Sequence, residues 1–330
     1  MNLLIVGSGN IAHALVTIIG SNSDAKISLL TSKPYKWSKI VAYIDNKELL
    51  EGKISSMSNE AKDVVSNADI IIFTLPSFAR ENYLKKIAPF VKENTIIASF
   101  PGVSGFNSEV ENIISKKNIS IVSAQRVPCI ARVKELGKSV NITLKDEMKI
   151  ATNNIATKKI FEKLLSIKID ILDDFMEVNL SNSNPILHTA RLYVLLQQSK
   201  CFENEIYFYR DWDNESSKIL LEMDREFMQI VKSLNLKNIK SLKEHYGVDG
   251  IESMTNKIKS IKAFRDIKAP LIKTKRDYCL DTSSRYFSED VEVGLKYTIN
   301  KAKELNIKVT KLKEVYNFLT NILKESKSEY

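Results

Sequence analysis

Side chains that could exchange a proton near neutral pH are scarce in this chain. Among 330 residues there are three histidines, His13, His188 and His245. His13 follows a pair of glycines and reads as a packing or surface residue of the first helix. His245, in KEHYG, reads as a helix-end residue ahead of Gly247. His188 stands in NSNPILHTARLY, where Pro185 suits a first helical turn and Asn184 an N-cap. Asn184 and His188 are four apart and share one helix face, with Arg191 one turn further on. Its neighbours Ile186, Leu187 and Leu192 leave two readings open: an imidazole satisfied inside a core, or one facing a reacting group. Much later, SSRYFSEDVEVG sets Glu289 and Asp290 side by side. Alone, these acids read as the first turn of a helix capped by Ser288, where negative charge complements the helix dipole.

A second group of residues has the chemistry of anion binding. Gly7-Ser8-Gly9-Asn10-Ile11-Ala12 fits G-x-G-x-x-[GA], directly after the apolar run LLIV and at the head of a helix. In such a motif Gly7 permits the tight turn and Gly9 lets backbone amides approach a pyrophosphate. Asn10 and Ile11 open the helix whose N-terminus attracts the anion, and Ala12 keeps that helix close to the strand. The next strand ends LLTSKP. An NAD-binding site has a carboxylate there for the ribose hydroxyls, whereas Thr31, Ser32 and Lys33 offer two hydroxyls and an ammonium. Those groups suit a 2′-phosphate, so NADP(H) is favoured over NAD(H). Thr74 and Pro76, in TLPSF, fall at the carboxyl edge of a strand and are expected to flank the cofactor, as are Gly102 and Gly105 in FPGVSG.

The elements that must position these groups are legible as pattern. LLIV, KISLL, DIIIFTL, TIIASF and ISIVSA are short, continuous apolar runs separated by amphipathic stretches. Continuous runs imply strands buried on both faces, hence an α/β Rossmann-type doubly wound parallel sheet. SVNITL and MKIAT follow without a long crossover and read as an antiparallel addition at the sheet edge. From about residue 176 the pattern becomes mainly helical. The expected domains are therefore 1–175, binding a dinucleotide, and 176–330, helical and carrying substrate and catalytic groups, with the ligands in their shared cleft.

Composition excludes several classes. The net charge of +9 is spread as mixed lysines and acids without a basic, aromatic-rich tract, so a nucleic-acid partner is not expected. No apolar run reaches the ~18 residues of a membrane helix, and no basic region precedes LLIV. A soluble, cytoplasmic protein is expected, with a homodimer compatible. Cys129, Cys201 and Cys279 form no CxxC pair, so free buried thiols are expected, and no metal site.

Several segments in order resemble the octopine/nopaline (opine) dehydrogenase family: VGSGNIAHA, FTLPSFARENYLKKIAP, FPGVSGFNSE, QRVPCIARVKELGKSV, NSNPILHTARLY, DWDNESSKILLEMDREF and RYFSEDVEVGL. They span nearly the whole chain. The resemblance implies a C-terminal domain of the 6-phosphogluconate-dehydrogenase-like class. It also implies an NAD(P)H-dependent reductive condensation of an amino acid with a 2-oxo acid. The family's catalytic histidine falls on His188 and its acidic partner on Asp290, with Glu289 the less favoured choice. Substrate carboxylates need arginine forks. Arg132 is preferred over Arg126 and Arg191, with Asn184 beside the histidine. Cys129 stands where the family often has an aromatic residue, which bears on amino-acid specificity. The competing readings are a ketopantoate-reductase-like enzyme that reduces a 2-oxo or 3-hydroxy acid couple without an amine, and a non-catalytic dinucleotide-binding protein.

Overall fold

The structure is a computed structural model describing residues 1–37, 40–44, 47–115 and 117–328. The chain divides into two units, Met1–Ser181 and Asn182–Tyr330. The division comes after the expected 175/176 boundary because helix Phe175–Asn179 is tied into the first unit. The Asn179 side chain accepts from the Gly105 amide and donates to Asn107, while its carbonyl accepts from the Ser104 amide.

The strands of the first unit are β1 (Asn2–Val6), β2 (Lys26–Leu30), β3 (Ile40–Ile44), β4 (Lys47–Gly52), β5 (Ile54–Ser58), β6 (Ile70–Phe73), β7 (Ile96–Ser99), β8 (Ser120–Ala124), β9 (Cys129–Glu135), β10 (Ser139–Leu144), β11 (Glu147–Thr152) and β12 (Lys168–Ile171). Its helices are α1 (Asn10–Asn22), α2 (Ala61–Val64), α3 (Ser77–Ile87), α4 (Phe106–Ile113), α5 (Thr157–Leu165) and α6 (Phe175–Asn179). The main sheet runs β12-β11-β8-β7-β6-β1-β2-β5, and its strands from β8 to β5 are parallel. Alternate residues of each strand enter two separate cores. Leu3, Ile5, Ile27, Leu29, Ile70 and Ile72 pack on one face, and Leu4, Val6, Leu30, Ile71 and Phe73 on the other. Burying each such side chain contributes roughly 1.5–3 kcal/mol, which is why these strands read as unbroken apolar runs.

The expected edge addition is only half right. MKIAT forms β11, antiparallel to β8. SVNITL instead forms β10 in a second sheet, β4-β3-β10-β9. Its alternating Val140 and Ile142 are buried in the core that also takes in α1, and the strands of that sheet lie against α1. Helix α1 is buried continuously from Ala12 through Ile19. His13 is fully buried within it and packs against Trp37 with the rings tilted by 33° and their centroids 4.1 Å apart. Its Nδ1 is 2.9 Å from the Gly9 carbonyl, and its Nε2 accepts from the Gly137 amide at 2.7 Å. The ring is therefore neutral with its proton on Nδ1, and a second proton would break the Gly137 bond.

The second unit contains α7 (Asn184–Gln198), α8 (Asn214–Ser233), α9 (Leu242–Tyr246), α10 (Ile251–Ser260), a π-helix at Tyr286–Leu295, α11 (Lys296–Glu304) and α12 (Thr310–Ser328). Its small sheet has the order β13 (Cys201–Phe202), β15 (Tyr278–Leu280), β14 (Leu271–Lys273). Helix α7 is buried almost all round, packed by α8, α12 and the π-helix. Cys201 and Cys279 face each other across β13 and β15 and form a disulfide, which corrects the expectation of free thiols; Cys129 is free and buried. No helix among the described residues is long and apolar enough to cross a membrane.

Burial lowers the His13 pKa, the Gly9 hydrogen bond only partly opposing it. The neutral ring therefore stabilises the fold fully above the ordinary histidine pKa of about 6.5, and that stability is lost as pH falls toward the depressed folded value. Urea midpoints of the native protein should drop between pH 6.5 and 5, and the drop should shrink in His13→Asn. Equal pH slopes in the two proteins would contradict this role.

Candidate active site

Two segments of the second unit meet where the sequence placed its scarcest chemistry. His188 lies on the first turns of α7, and its Nδ1 is 2.7 Å from Oδ2 of Asp290, which the π-helix carries. The side chains are 12% and 10% exposed, so the pair is nearly dry but still reachable. A carboxylate can only accept, so Nδ1 carries the proton and donates it. A charge-assisted bond of this kind contributes about 1.5–3 kcal/mol.

The local sequence explains the approach. A Cβ at Gly294 would sit 2.3 Å from Cγ of Pro185, so glycine lets the π-helix lie directly against the start of α7. The extra residue per turn of a π-helix, a feature frequent at functional sites, sets which way Asp290 points. Ser288, expected as an N-cap, lies inside this helix, whose own N-cap is Arg285. Asn184 likewise begins α7 rather than capping it; its amide donates to Asn182, and the N-cap is Ser183. Asn184 is exposed one turn before His188.

The residue that sequence reasoning missed is Tyr209. Its hydroxyl is 2.7 Å from Nε2 of His188, so both ring nitrogens are engaged. Tyr209 stacks on Phe264 at 4.3 Å, and Tyr286 and Phe208 pack edge-on to the imidazole at 4.6 and 5.8 Å. Burial pushes the Tyr286 hydroxyl up to about 12, with the nearby Asp290 charge adding to it. It pushes Tyr209 further in the same direction. Both phenols therefore stay protonated. The only hint in the sequence was the aromatic density of YFYRDW.

Arg191 is not available to a substrate, contrary to expectation. Its guanidinium donates to Asp213 at 2.7 Å, to Ser216 at 3.0 Å and to the Asp211 carbonyl at 2.5 Å, and its side chain is 3% exposed. It ties α7 to the turn following Tyr209. Of the other arginines, Arg132 is exposed on β9 with its guanidinium on the Ala131 carbonyl, and Arg126 is exposed and donates to the Ser181 carbonyl.

In the first unit the glycine motif separates into two roles. Gly7 has φ +123°, and a Cβ there would lie 2.5 Å from Oγ1 of Thr74, whose hydroxyl donates to the Val6 carbonyl. Thr74 thus buttresses the turn, and Pro76 precedes α3 as its N-cap. A Cβ at Gly9 would meet nothing within 4 Å, and α1 starts there without a side-chain cap. That open cradle at bare helix amides fits a pyrophosphate. The Asn10 side chain accepts from the Val133 amide and so does not cap the α1 amides; Ile11 and Ala12 pack into the core. Thr31 is buried and accepts from the Lys33 amide, while Ser32 and Lys33 are exposed. Gly102 packs on Ser123, where a Cβ would be 2.7 Å from the backbone, and Gly105 turns into α4 at φ +93°.

Two family models match the chain, one toward each end. Residues 171–323 match the family described as NAD/NADP octopine/nopaline dehydrogenase, alpha-helical domain. Residues 2–130 match the N-terminus of NAD-dependent glycerol-3-phosphate dehydrogenase. The chain is 24% identical to tauropine dehydrogenase of Arabella iricolor, over 90% of its own length and 85% of that protein's. It is 21% identical to octopine dehydrogenase of Pecten maximus, over 89% and 83%. A solved octopine dehydrogenase with NADH and L-arginine has the same fold, with TM-score 0.86 at 18% identity, covering 98% of this chain and 90% of that one.

The two glycines should respond differently to substitution. Gly7→Ala should destabilise the protein by about 1–3 kcal/mol through backbone strain, read as a lower urea midpoint. Gly9→Val should leave that midpoint unchanged and weaken binding of the reduced nicotinamide dinucleotide at least ~10-fold by filling the cradle, read by fluorescence titration. Full cofactor affinity in Gly9→Val would remove the cradle from the binding site.

Proposed function

Because this chain belongs to the octopine/nopaline dehydrogenase family of NAD(P)-dependent oxidoreductases, we propose that it condenses an amino acid reductively with a 2-oxo acid, with His188 as general acid–base group. The observation that supports this most is the His188–Asp290 bond, which fixes the ring's tautomer and orientation. The bound nicotinamide cofactor supplies the hydride. His188 holds the proton that the leaving hydroxyl needs as the imine forms, and takes one back when the amino acid's ammonium becomes a free amine. Asp290 keeps Nδ1 protonated throughout, so exchange occurs at Nε2. Arg132 and Arg126 are the cationic side chains we assign to the substrate carboxylates, with Asn184 near the histidine. Such carboxylates suit guanidinium forks better than ammonium groups.

The cofactor is NADP(H) in this reading. Gly7, Gly9 and the backbone of Asn10, Ile11 and Ala12 would hold its pyrophosphate. Ser32 and Lys33, exposed beyond β2, would face the 2′-phosphate, with the Thr31 hydroxyl anchoring the Lys33 amide behind them.

A screen of NADPH oxidation with 2-oxo acids crossed with amino acids, products identified by mass, is expected to yield a secondary amine dicarboxylate. Oxidation with an oxo acid alone would support the amine-free reductase instead. His188→Ala should lower kcat at least ~10²-fold, within the usual range for general acid–base groups, with NADPH affinity retained. Near-normal turnover in that variant would refute the role. NADPH should be used with a higher kcat/KM than NADH, and a clear NADH preference would overturn the 2′-phosphate assignment.

A further inference from the structure

Protons leave a ring nitrogen only along a hydrogen bond, and at His188 both such paths are filled. Nδ1 ends on the Asp290 carboxylate, which orients the ring and holds that proton in place without taking it. Nε2 ends on the Tyr209 hydroxyl at 2.7 Å. We infer that Tyr209 is a proton relay, its hydroxyl carrying the proton between Nε2 of His188 and the reacting atom of the substrate. The inference rests on the reading of His188 as the acid–base group and extends it by one station.

The surroundings fix that hydroxyl in place. The Tyr209 ring lies against Phe264 and, roughly parallel, Trp212, and edge-on to Phe208. The turn that follows is held by Arg191 through Asp211 and Asp213, and the Tyr207 amide donates to Asp211. The Arg191 cluster thus aims the phenol. A phenol suits a relay because it donates and accepts at one oxygen. Burial, with smaller contributions from Tyr286, Tyr246 and Asp290, disfavours its ionised form, so it must gain a proton as it gives one.

The step balances. As the carbinolamine C–O bond breaks toward oxygen, that oxygen takes the Tyr209 proton and departs as water. The phenolic oxygen takes the Nε2 proton, the imidazolium becomes neutral, and the nitrogen lone pair closes the C=N bond, leaving positive charge on nitrogen. The earlier loss of a proton from the amino acid's ammonium runs through the same oxygen in reverse and recharges His188.

The test uses the intact enzyme with NADPH and the amino acid and 2-oxo acid that turn over fastest in the screen. Tyr209→Phe should lower kcat ~10²-fold or more, with KM and NADPH affinity within about threefold of native. Substrate that instead displaces Tyr209 to reach Nε2 would give the opposite result, an unchanged kcat with a lower KM, and the relay would be wrong. If Tyr209→Phe folds poorly, the native enzyme's rate in mixed light and heavy water decides. A bowed dependence on deuterium fraction indicates two protons in flight and supports the relay; a linear one overturns it. His188→Asn separates this from the underlying reading. An inactive His188→Asn beside an active Tyr209→Phe rejects the relay alone. Full activity of His188→Asn, or no turnover with any substrate pair, rejects both.

Discussion

The second unit is organised around one hydrogen bond between residues 102 apart in the chain. A histidine and an aspartate, nearly dry, can form such a contact only if two backbones are brought unusually close and held there. Gly294 removes the side chain that would collide with Pro185, and a π-helix supplies the turn that points Asp290 at the ring. Apolar burial around α7 fixes the histidine's helix on nearly every side. The Cys201–Cys279 disulfide joins the strand after α7 to the strand before the π-helix, so it too links the two segments that must meet. The contact's own contribution is small beside that packing. Its importance lies in what it does to the imidazole.

The first unit solves a different problem, that of turning β1 tightly into a helix whose first amides have no side-chain cap. Its glycines divide the work. Gly7 satisfies the turn and the close approach of Thr74, which is a demand of folding. Gly9 leaves space that folding does not require. Buried His13 spans from the Gly9 carbonyl to the Gly137 turn, so a residue that looked incidental in the sequence secures the loop from behind.

How much of this was legible depended on whether the signal was local. The parallel strands were, because two-sided burial writes itself as continuous apolar runs, and β1, β2, β6, β7 and β8 fall where those runs lie. His188 and Asp290 were legible through the segments resembling a known family, and their meeting could not have been read from spacing. What stayed hidden was set by tertiary packing. SVNITL alternates as an edge strand would, yet its apolar face is claimed by α1 and it joins a second sheet. YFYRDW shows aromatic density without showing that one hydroxyl ends at Nε2. Arg191 carries the right charge one turn from His188, but Asp213 and the Asp211 carbonyl consume it. Cysteines 78 residues apart gave no spacing signal for their bond.

The most direct test of the dyad is Asp290→Asn, which keeps size and the ability to hydrogen-bond but removes the carboxylate that fixes the ring's tautomer. With cofactor affinity and urea midpoint close to native, kcat for nicotinamide-cofactor oxidation with the substrates that the screen identifies should fall by ~10² or more. Turnover within a few-fold of native would mean that the carboxylate does not serve the imidazole, and the chemistry assigned to this contact would have to be sought elsewhere.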